Sequence, residues 1–324
     1  MQMSESSSPL FVVTGPTGSG KTAIAMHLAD YAAVKLISVD SVMVYKGLNI
    51  GSAKPSPNDL MQYPHELVDI VPPDHSFDVK QFVDRATKSI TEAWCEKRVP
   101  ILVGGTIMYL KALLNGLNDL PPADLHIREQ IRRHANQYGW QAVHQKLKSL
   151  DPNMADCIHP NHSSRIERAL EVRLITNQSI QNFWTTPTNP LQIAKRPVDL
   201  QILALIPLDR NDLKDRLNKR FDKMLTHGLL EEVIGLRDEN PNLSISSSSM
   251  RSIGYRQVWG YLNGEFSEQQ MTERAKAATR QLAKRQFTWL RTWRPNEILH
   301  LTYDNQLPIN DALCWFQRVM SDVF

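Results

Sequence analysis

The segment Gly15-Pro-Thr-Gly-Ser-Gly-Lys-Thr22 constrains this chain more than any other stretch. It satisfies G-x-x-x-x-G-K-[ST] at every fixed position. It also stands where such a loop has to stand, after a short apolar run (Leu10–Thr14) and before a helical pattern (Lys21 to Tyr31). A strand–loop–helix unit of this kind turns backbone N–H groups toward phosphate oxygens and adds the partial positive charge of a helix N-terminus. Lys21 supplies a full cation, and the Thr22 hydroxyl is a candidate ligand for Mg²⁺. Gly15, Pro16, Thr17, Gly18, Ser19, Gly20, Lys21 and Thr22 are therefore the candidate phosphate-binding residues.

Further apolar runs at Leu36–Val39, Ile101–Val103 and Gln201–Ile206 read as strands, with helical patterns between the early ones. This alternation predicts the α/β class: a P-loop NTPase-like parallel sheet flanked by helices. From about Asp124 to Ile193 the rhythm breaks into several helical segments without a strong strand, and Pro187, Pro190 and Pro197 close that stretch. The expected organisation is a core of residues 1–123 and 194–324 with an all-helical insertion domain at 124–193. A long helical region is expected from Ser267 to Trp293. No internal repeat stands out.

Composition narrows the class. The chain is 42% hydrophobic and 22% charged, ordinary for a globular protein. No apolar run reaches the ~18 residues needed to cross a bilayer. Met1 to Pro9 is Ser-rich and lacks a basic region followed by an apolar one, so it reads as a frayed tail rather than a secretory signal. Cys95, Cys157 and Cys314 lie far apart, which gives neither a disulfide framework nor a zinc site. The cytoplasm is the expected compartment. The net charge of +3 says little about nucleic acid, for which local clusters of Lys and Arg matter more.

A P-loop alone indicates a polyphosphate. Most P-loop ATPases and GTPases carry a second Asp that positions Mg²⁺. Here Ile101–Val103 runs into Gly104-Gly105-Thr106 instead, and Asp69 is a poor substitute. Nucleotide hydrolysis is weakened and another diphosphate substrate is left room. A small-molecule kinase using ATP remains the alternative, and a non-catalytic RNA-binding or regulatory P-loop protein is a further rival.

Asp40 follows the second strand, at the carboxyl edge where ligands of open α/β sheets bind. It can take a proton from a nucleophile or simply cap a turn. Thr106 follows a double glycine, where backbone can approach a ligand closely. On a helix from Asp212 to Leu225, Leu217, Phe221 and Met224 form an apolar stripe beside Arg216, Arg220 and Lys223. The basic stripe suits a grip on phosphate or a solvated face.

Glu268 to Arg294 holds seven Lys or Arg against two Glu, with Arg280, Lys284 and Arg291 on one stripe near Trp289 and Trp293. That pattern suits phosphates and unstacked bases, or again a solvated face. The helical insertion adds Arg128, Arg132 and Arg133. Arg165 and Arg168 share a helix face there, while Ile166 and Leu170 turn inward.

Several blocks carry a resemblance. Leu36-Ile-Ser-Val-Asp-Ser-Val-Met-Val-Tyr-Lys-Gly-Leu-Asn-Ile-Gly-Ser-Ala-Lys-Pro55 resembles the second signature of the tRNA dimethylallyltransferase family. So do Pro64-His65, Leu102–Thr106 with Tyr109, Ile158–Asn161, Ser252–Arg256 and Ala278–Arg291. Together they span roughly residues 10 to 294. Ser52 stands where Thr is common, and Met43 where many members have Gln. The zinc-finger extension of eukaryotic relatives is absent, so the bacterial form is the closer match.

The resemblance implies transfer of a dimethylallyl group from dimethylallyl diphosphate to the N6 amine of the adenosine on the 3′ side of the anticodon. It implies that Gly15 to Thr22 holds the diphosphate, with Mg²⁺ at Thr22. Asp40 would be the general base, Thr106 a substrate contact and Arg220 the arginine on the leaving group. It also implies tRNA contacts at Asp40, Ser41, Val42 and Met43, at Thr106 and Arg128, and at Ser164, Arg165, Ile166, Glu167 and Arg168. Arg251, Ser252, Ile253, Gly254, Tyr255 and Arg256 complete that set. The partners expected are dimethylallyl diphosphate and the tRNA anticodon stem-loop, with no membrane partner and a monomeric chain. His65 matches a family position with no clear role, and Arg216 stays undecided.

Overall fold

Short strands alternate with helices along the first third of the chain. The computed structural model describes residues 7–184, 192–293, 295–301 and 307–323. Pro187, Pro190, Arg294 and the first six residues of the expected N-terminal tail lie outside these. Two compact units are present, one of residues 1–114 and 189–324, the other of residues 115–188.

The first unit begins with β1 (Ser8–Thr14), α1 (Lys21–Ala29), β2 (Val34–Val39), α2 (Pro57–Gln62), β3 (His65–Glu66), α3 (Val79–Cys95), β4 (Val99–Gly104) and α4 (Ile107–Asn115). Ser8 and Pro9, expected in the tail, are already paired in β1 with Val198 and Asp199. β1 runs parallel to β4, and β4 parallel to β2, whose other edge carries β3. β4 thus separates β1 from β2 and places the ends of all three strands on one edge.

Side-chain alternation explains why this sheet is covered on both faces. Leu10 and Val12 of β1 face one apolar cluster with Ile37, Val39 and Leu102. Phe11 and Val13 face the other with Leu36, Ile101 and Val103. Every residue of β2 and β4 is buried, the pattern of strands buried on both faces.

The second unit is helical: α5 (Leu125–Leu150), α6 (Pro152–Asp156), α7 (Ser163–Thr176) and a 3₁₀ turn (Ile180–Phe183). Gly139, at φ 82°, breaks α5 midway. Its core is Ile131, Val143, Leu147, Ile166 and Leu170 with their neighbours. Glu171 of α7 is fully buried and accepts from Arg128 Nε (2.8 Å), Arg128 Nη2 (3.0 Å), Arg168 Nη1 (2.6 Å) and the Asp124 amide (2.8 Å). Burial alone would push its carboxyl up, but the bonds from the two guanidinium groups and the Asp124 amide outweigh it and hold it below the ordinary range.

The chain returns to the first unit through β5 (Gln192–Ile193) and β6 (Arg196–Pro207). β5 pairs antiparallel with β6, so residues 192–193, expected in the helical segment, form a hairpin instead. β6 runs parallel to β1. Then follow α8 (Arg210–Thr226), α9 (Leu229–Glu239), α10 (Tyr255–Leu262), α11 (Glu268–Trp293), β7 (Glu297–Leu301) and α12 (Ile309–Val323). The described sheet reads β3-β2-β4-β1-β6-β5, with β7 parallel to β6. α12 closes the second face, where Phe11 meets the edges of Trp315 (5.5 Å) and Phe316 (4.9 Å).

Candidate active site

The loop between β1 and α1 needs backbone that only glycine adopts without strain. Gly20 ends it at φ 81°, directly before the first turn of α1. The first amides of that helix have no partner within it and can face an anion. Lys21 Nζ folds back to donate to Pro16 O at 2.8 Å. Burial, and then the nearby Arg220 charge, bring Lys21 down to about 8, while Asp40 opposes the shift.

Arg220 comes from α8. It is half-buried, and burial holds its guanidinium below the usual range, partly offset by Asp40. The basic stripe on α8 is therefore no uniform solvated face. Lys223 is exposed, but Arg216 is half-buried and donates from Nη1 to Gly18 O at 3.1 Å. Leu213 and Leu217, one turn apart, pack beneath Gly18. α8 thus holds the loop with its apolar stripe while its arginines reach the same place.

Asp40 follows β2. Its Oδ1 accepts from the amides of Val42 (2.8 Å) and Met43 (3.1 Å), which fixes the turn and aims the carboxylate. Capping and a chemical role are compatible here, because the capped carboxylate still lines a cavity. Thr106 immediately precedes α4, and its Oγ1 accepts from the Ser41 amide at 3.2 Å, so the loops after β2 and β4 are tied together.

Two cavities share Thr17, Asp40, Ser52 and Arg220 as walls. One, of about 160 Å³, is lined by loop residues Gly18, Gly20, Lys21 and Thr22 and by His65. The other, of about 420 Å³, is walled largely by apolar groups such as Val42, Tyr109, Leu217, Phe221 and Met224, with Arg251 at its side. A phosphate-sized polar compartment therefore adjoins a larger apolar one, with a carboxylate and an arginine common to both.

His65 Nδ1 lies 2.7 Å from Tyr63 O, and its buried Nε2 has no protein partner. Burial lowers its pKa, which favours the neutral ring. Asp69, the weak candidate for a second nucleotide-site acid, is ion-paired with Lys54.

The structure redraws part of the expected RNA set. The side chains of Ile166 and Tyr255 are fully buried, and Glu167 is buried and bonded to Arg132 Nε at 2.6 Å. Arg128 and Arg168 are engaged by Glu171. In unit 2, Ser164 and Arg165 present open side chains, as do Ser41, Arg251 and Arg256 in unit 1. Trp289, expected as an aromatic partner for bases, is 8% exposed within the core, and Trp293 packs against it. The open part of α11 is cationic, with Lys284, Arg285 and Arg291 exposed.

Sequence reasoning missed two positioning groups. Glu232 of α9 accepts from the amides of Asn49, Ile50 and Gly51 (3.0, 2.7 and 3.3 Å) and from Tyr255 Oη at 2.6 Å. Gln286 of α11 bridges Thr17 and Gly105. In a local reading both are ordinary polar residues on exposed-looking helices.

Fold and site together define a P-loop α/β protein whose cradle faces an apolar chamber rather than a second nucleotide-site carboxylate. The chain belongs to the IPP transferase family, whose model matches residues 43–293. It is 46% identical over 314 residues to tRNA dimethylallyltransferase 2 of Hahella chejuensis, an alignment covering 94% of each chain. Among solved structures it is similar to the full-length tRNA isopentenylpyrophosphate transferase of Bacillus halodurans, at 32% identity and a TM-score of 0.68, covering 98% of this chain and 97% of that one. A tRNA isopentenylpyrophosphate transferase of Staphylococcus epidermidis matches at 30% identity and a TM-score of 0.67, covering 97% and 99%. A eukaryotic dimethylallyltransferase acting on tRNA shares the fold at 24% identity and a TM-score of 0.78, covering 98% of this chain and 80% of that chain.

Proposed function

We propose that this chain transfers a dimethylallyl group from dimethylallyl diphosphate to the N6 amine of the adenosine on the 3′ side of the anticodon in tRNA. The single observation that carries this reading is the pair of adjoining cavities with Asp40 and Arg220 in their common wall. The smaller suits a diphosphate. The larger suits a five-carbon allylic group and a purine, both apolar on their faces.

The residues divide the chemistry between them. N6 attacks the allylic carbon bearing the diphosphate, so a C–N bond forms as the C–O bond breaks. The diphosphate leaves with the electron pair, and Lys21, Arg220 and the loop amides stabilise the charge that develops. Asp40 takes the proton lost from N6 and later gives it to water. An adenine amine is a weak nucleophile, so orientation by the walls of the larger cavity contributes as well. The target base leaves its stack to reach the site, at about a few kcal/mol.

The residues fit Mg²⁺. The Thr22 hydroxyl and the Asp40 carboxylate are hard oxygen donors lining one small cavity, and Mg²⁺ draws its remaining ligands from phosphate and water. Thr22 would hold it there, where it would neutralise leaving-group charge. In the first unit the open Arg251 and Arg256 side chains, and in the second unit the open Arg165 side chain, are each assigned as RNA contacts. Among the described residues no helix is long and apolar enough to cross a membrane, and we assign the chain to the cytoplasm as a monomer.

A synthetic anticodon stem-loop tests the assignment. Transfer should occur to an RNA carrying adenosine on the 3′ side of the anticodon and vanish when guanosine replaces it. Equal labelling of the two RNAs would contradict the assigned position.

A further inference from the structure

Gln286 is 5% exposed and sits on α11, far along the chain from the phosphate loop. Its Oε1 accepts the Thr17 amide at 2.8 Å, and its Nε2 donates to Gly105 O at 2.9 Å. Both bonds form only with the amide group oriented this way. A Cβ at Gly105 would lie 2.6 Å from Gln286 Nε2, so a larger residue there would displace the Gln286 amide. One side chain therefore fixes the loop after β1 to the loop after β4.

The first of these bonds has a chemical consequence. An N–H group given to Gln286 is not available to a phosphate oxygen. Thr17 stands on the strand side of the loop, whereas the amides of Lys21 and Thr22 sit at the helix end. Phosphoryl groups in such a loop run from the helix end toward its strand side. Loop amides cradle the first two phosphates and the lysine reaches on toward a third, so an N–H on the strand side, at Thr17, is the further donor a third phosphoryl group would draw on. We propose that Gln286 is a positioning residue that sets the phosphate count of this cradle, withdrawing the Thr17 amide so that the loop favours a diphosphate over a triphosphate. The inference deepens the diphosphate reading above and rests on it. It also gives a residue-level account of how a P-loop can prefer a prenyl diphosphate over ATP.

The test measures binding of inorganic pyrophosphate and inorganic tripolyphosphate by calorimetry, at one pH and ionic strength, to the wild type and two variants. Gln286→Ala frees the Thr17 amide. Its affinity for tripolyphosphate relative to pyrophosphate should rise about tenfold over wild type, the worth of one hydrogen bond to a charged group. Gln286→Glu keeps an acceptor for the Thr17 amide and adds a negative charge that repels the more highly charged tripolyphosphate more strongly, so it should bind both ligands more weakly with a ratio at or below that of wild type. This second variant also carries the test if the alanine protein fails to unfold cooperatively, because a raised ratio there would overturn the inference. An unchanged ratio in Gln286→Ala, with both affinities reduced equally, marks a purely structural residue and overturns this inference alone. Wild-type protein that bound neither polyphosphate would overturn the diphosphate reading and the inference with it.

Discussion

At the scale of residues, the site depends on a carboxylate and two largely buried cations that line the same small cavity. Replacing Asp40 by Asn keeps the shape and removes the base. Transfer should fall about 10²–10⁴-fold in single-turnover assays, while tRNA affinity in filter binding stays close to wild type. A loss of affinity as large as the loss of rate would show that Asp40 binds rather than catalyses. Lys21 gives a pH signature. Its pKa is depressed to about 8 in the ligand-free protein, so the cation that a diphosphate needs is present below that pH and lost above it. Dimethylallyl diphosphate affinity should drop about tenfold between pH 7 and pH 9, and Lys21→Arg should flatten the profile. Lys21 and Asp40 were legible in the sequence because motif spacing and strand-end position point to them, whereas Arg220 was singled out only by the family resemblance, its basic stripe fitting a solvated face as well. Gln286 and Glu232 were not legible, since nothing local shows that a polar helix residue turns inward to hold a loop from elsewhere in the chain. Trp289 misled for the same reason: an aromatic among arginines reads as a base platform, and tertiary packing makes it core.

At the scale of elements, buried strands were the legible part. The central strands β1, β2 and β4 and part of β6 follow from apolar runs, each longer in the structure than the run that marks it. β3 and β5 are two residues long, too short to leave a periodic signal, and their pairing is imposed by the neighbouring strand. α12 supports β1 through Trp315 and Phe316 around Phe11. Phe316→Ala should cost about 3–5 kcal/mol, read as a lower urea midpoint at unchanged slope. In the helical unit, Glu171→Ala leaves Arg128 and Arg168 without their shared partner. Both arginines are only about a quarter exposed, so the loss should approach ~3 kcal/mol. Glu171 is held below its ordinary value of 4.5, so its contribution is present above that pH and lost as pH falls through the depressed folded value. Acid titration of wild type against Glu171→Ala should therefore converge at low pH, whereas parallel curves would contradict the ion-pair account.

At the scale of the whole molecule, the phosphate loop, the carboxylate after β2 and the arginine of α8 converge because β4 inserts between β1 and β2 and α8 packs beneath the loop. That convergence makes a general polyphosphate fold serve group transfer to a nucleic acid. The cationic open face of α11 adds a testable property. tRNA affinity should fall steeply and linearly with the logarithm of salt concentration, and Arg291→Ala should reduce the slope. A variant slope equal to wild type would place Arg291 outside the RNA contact. The central claim is most directly tested by incubating the protein with radiolabelled dimethylallyl diphosphate and unmodified tRNA, with Mg²⁺ and without ATP. The account predicts label on the adenosine beside the anticodon and release of diphosphate. RNA that stays unlabelled, with ATP consumed on a small metabolite instead, would contradict it.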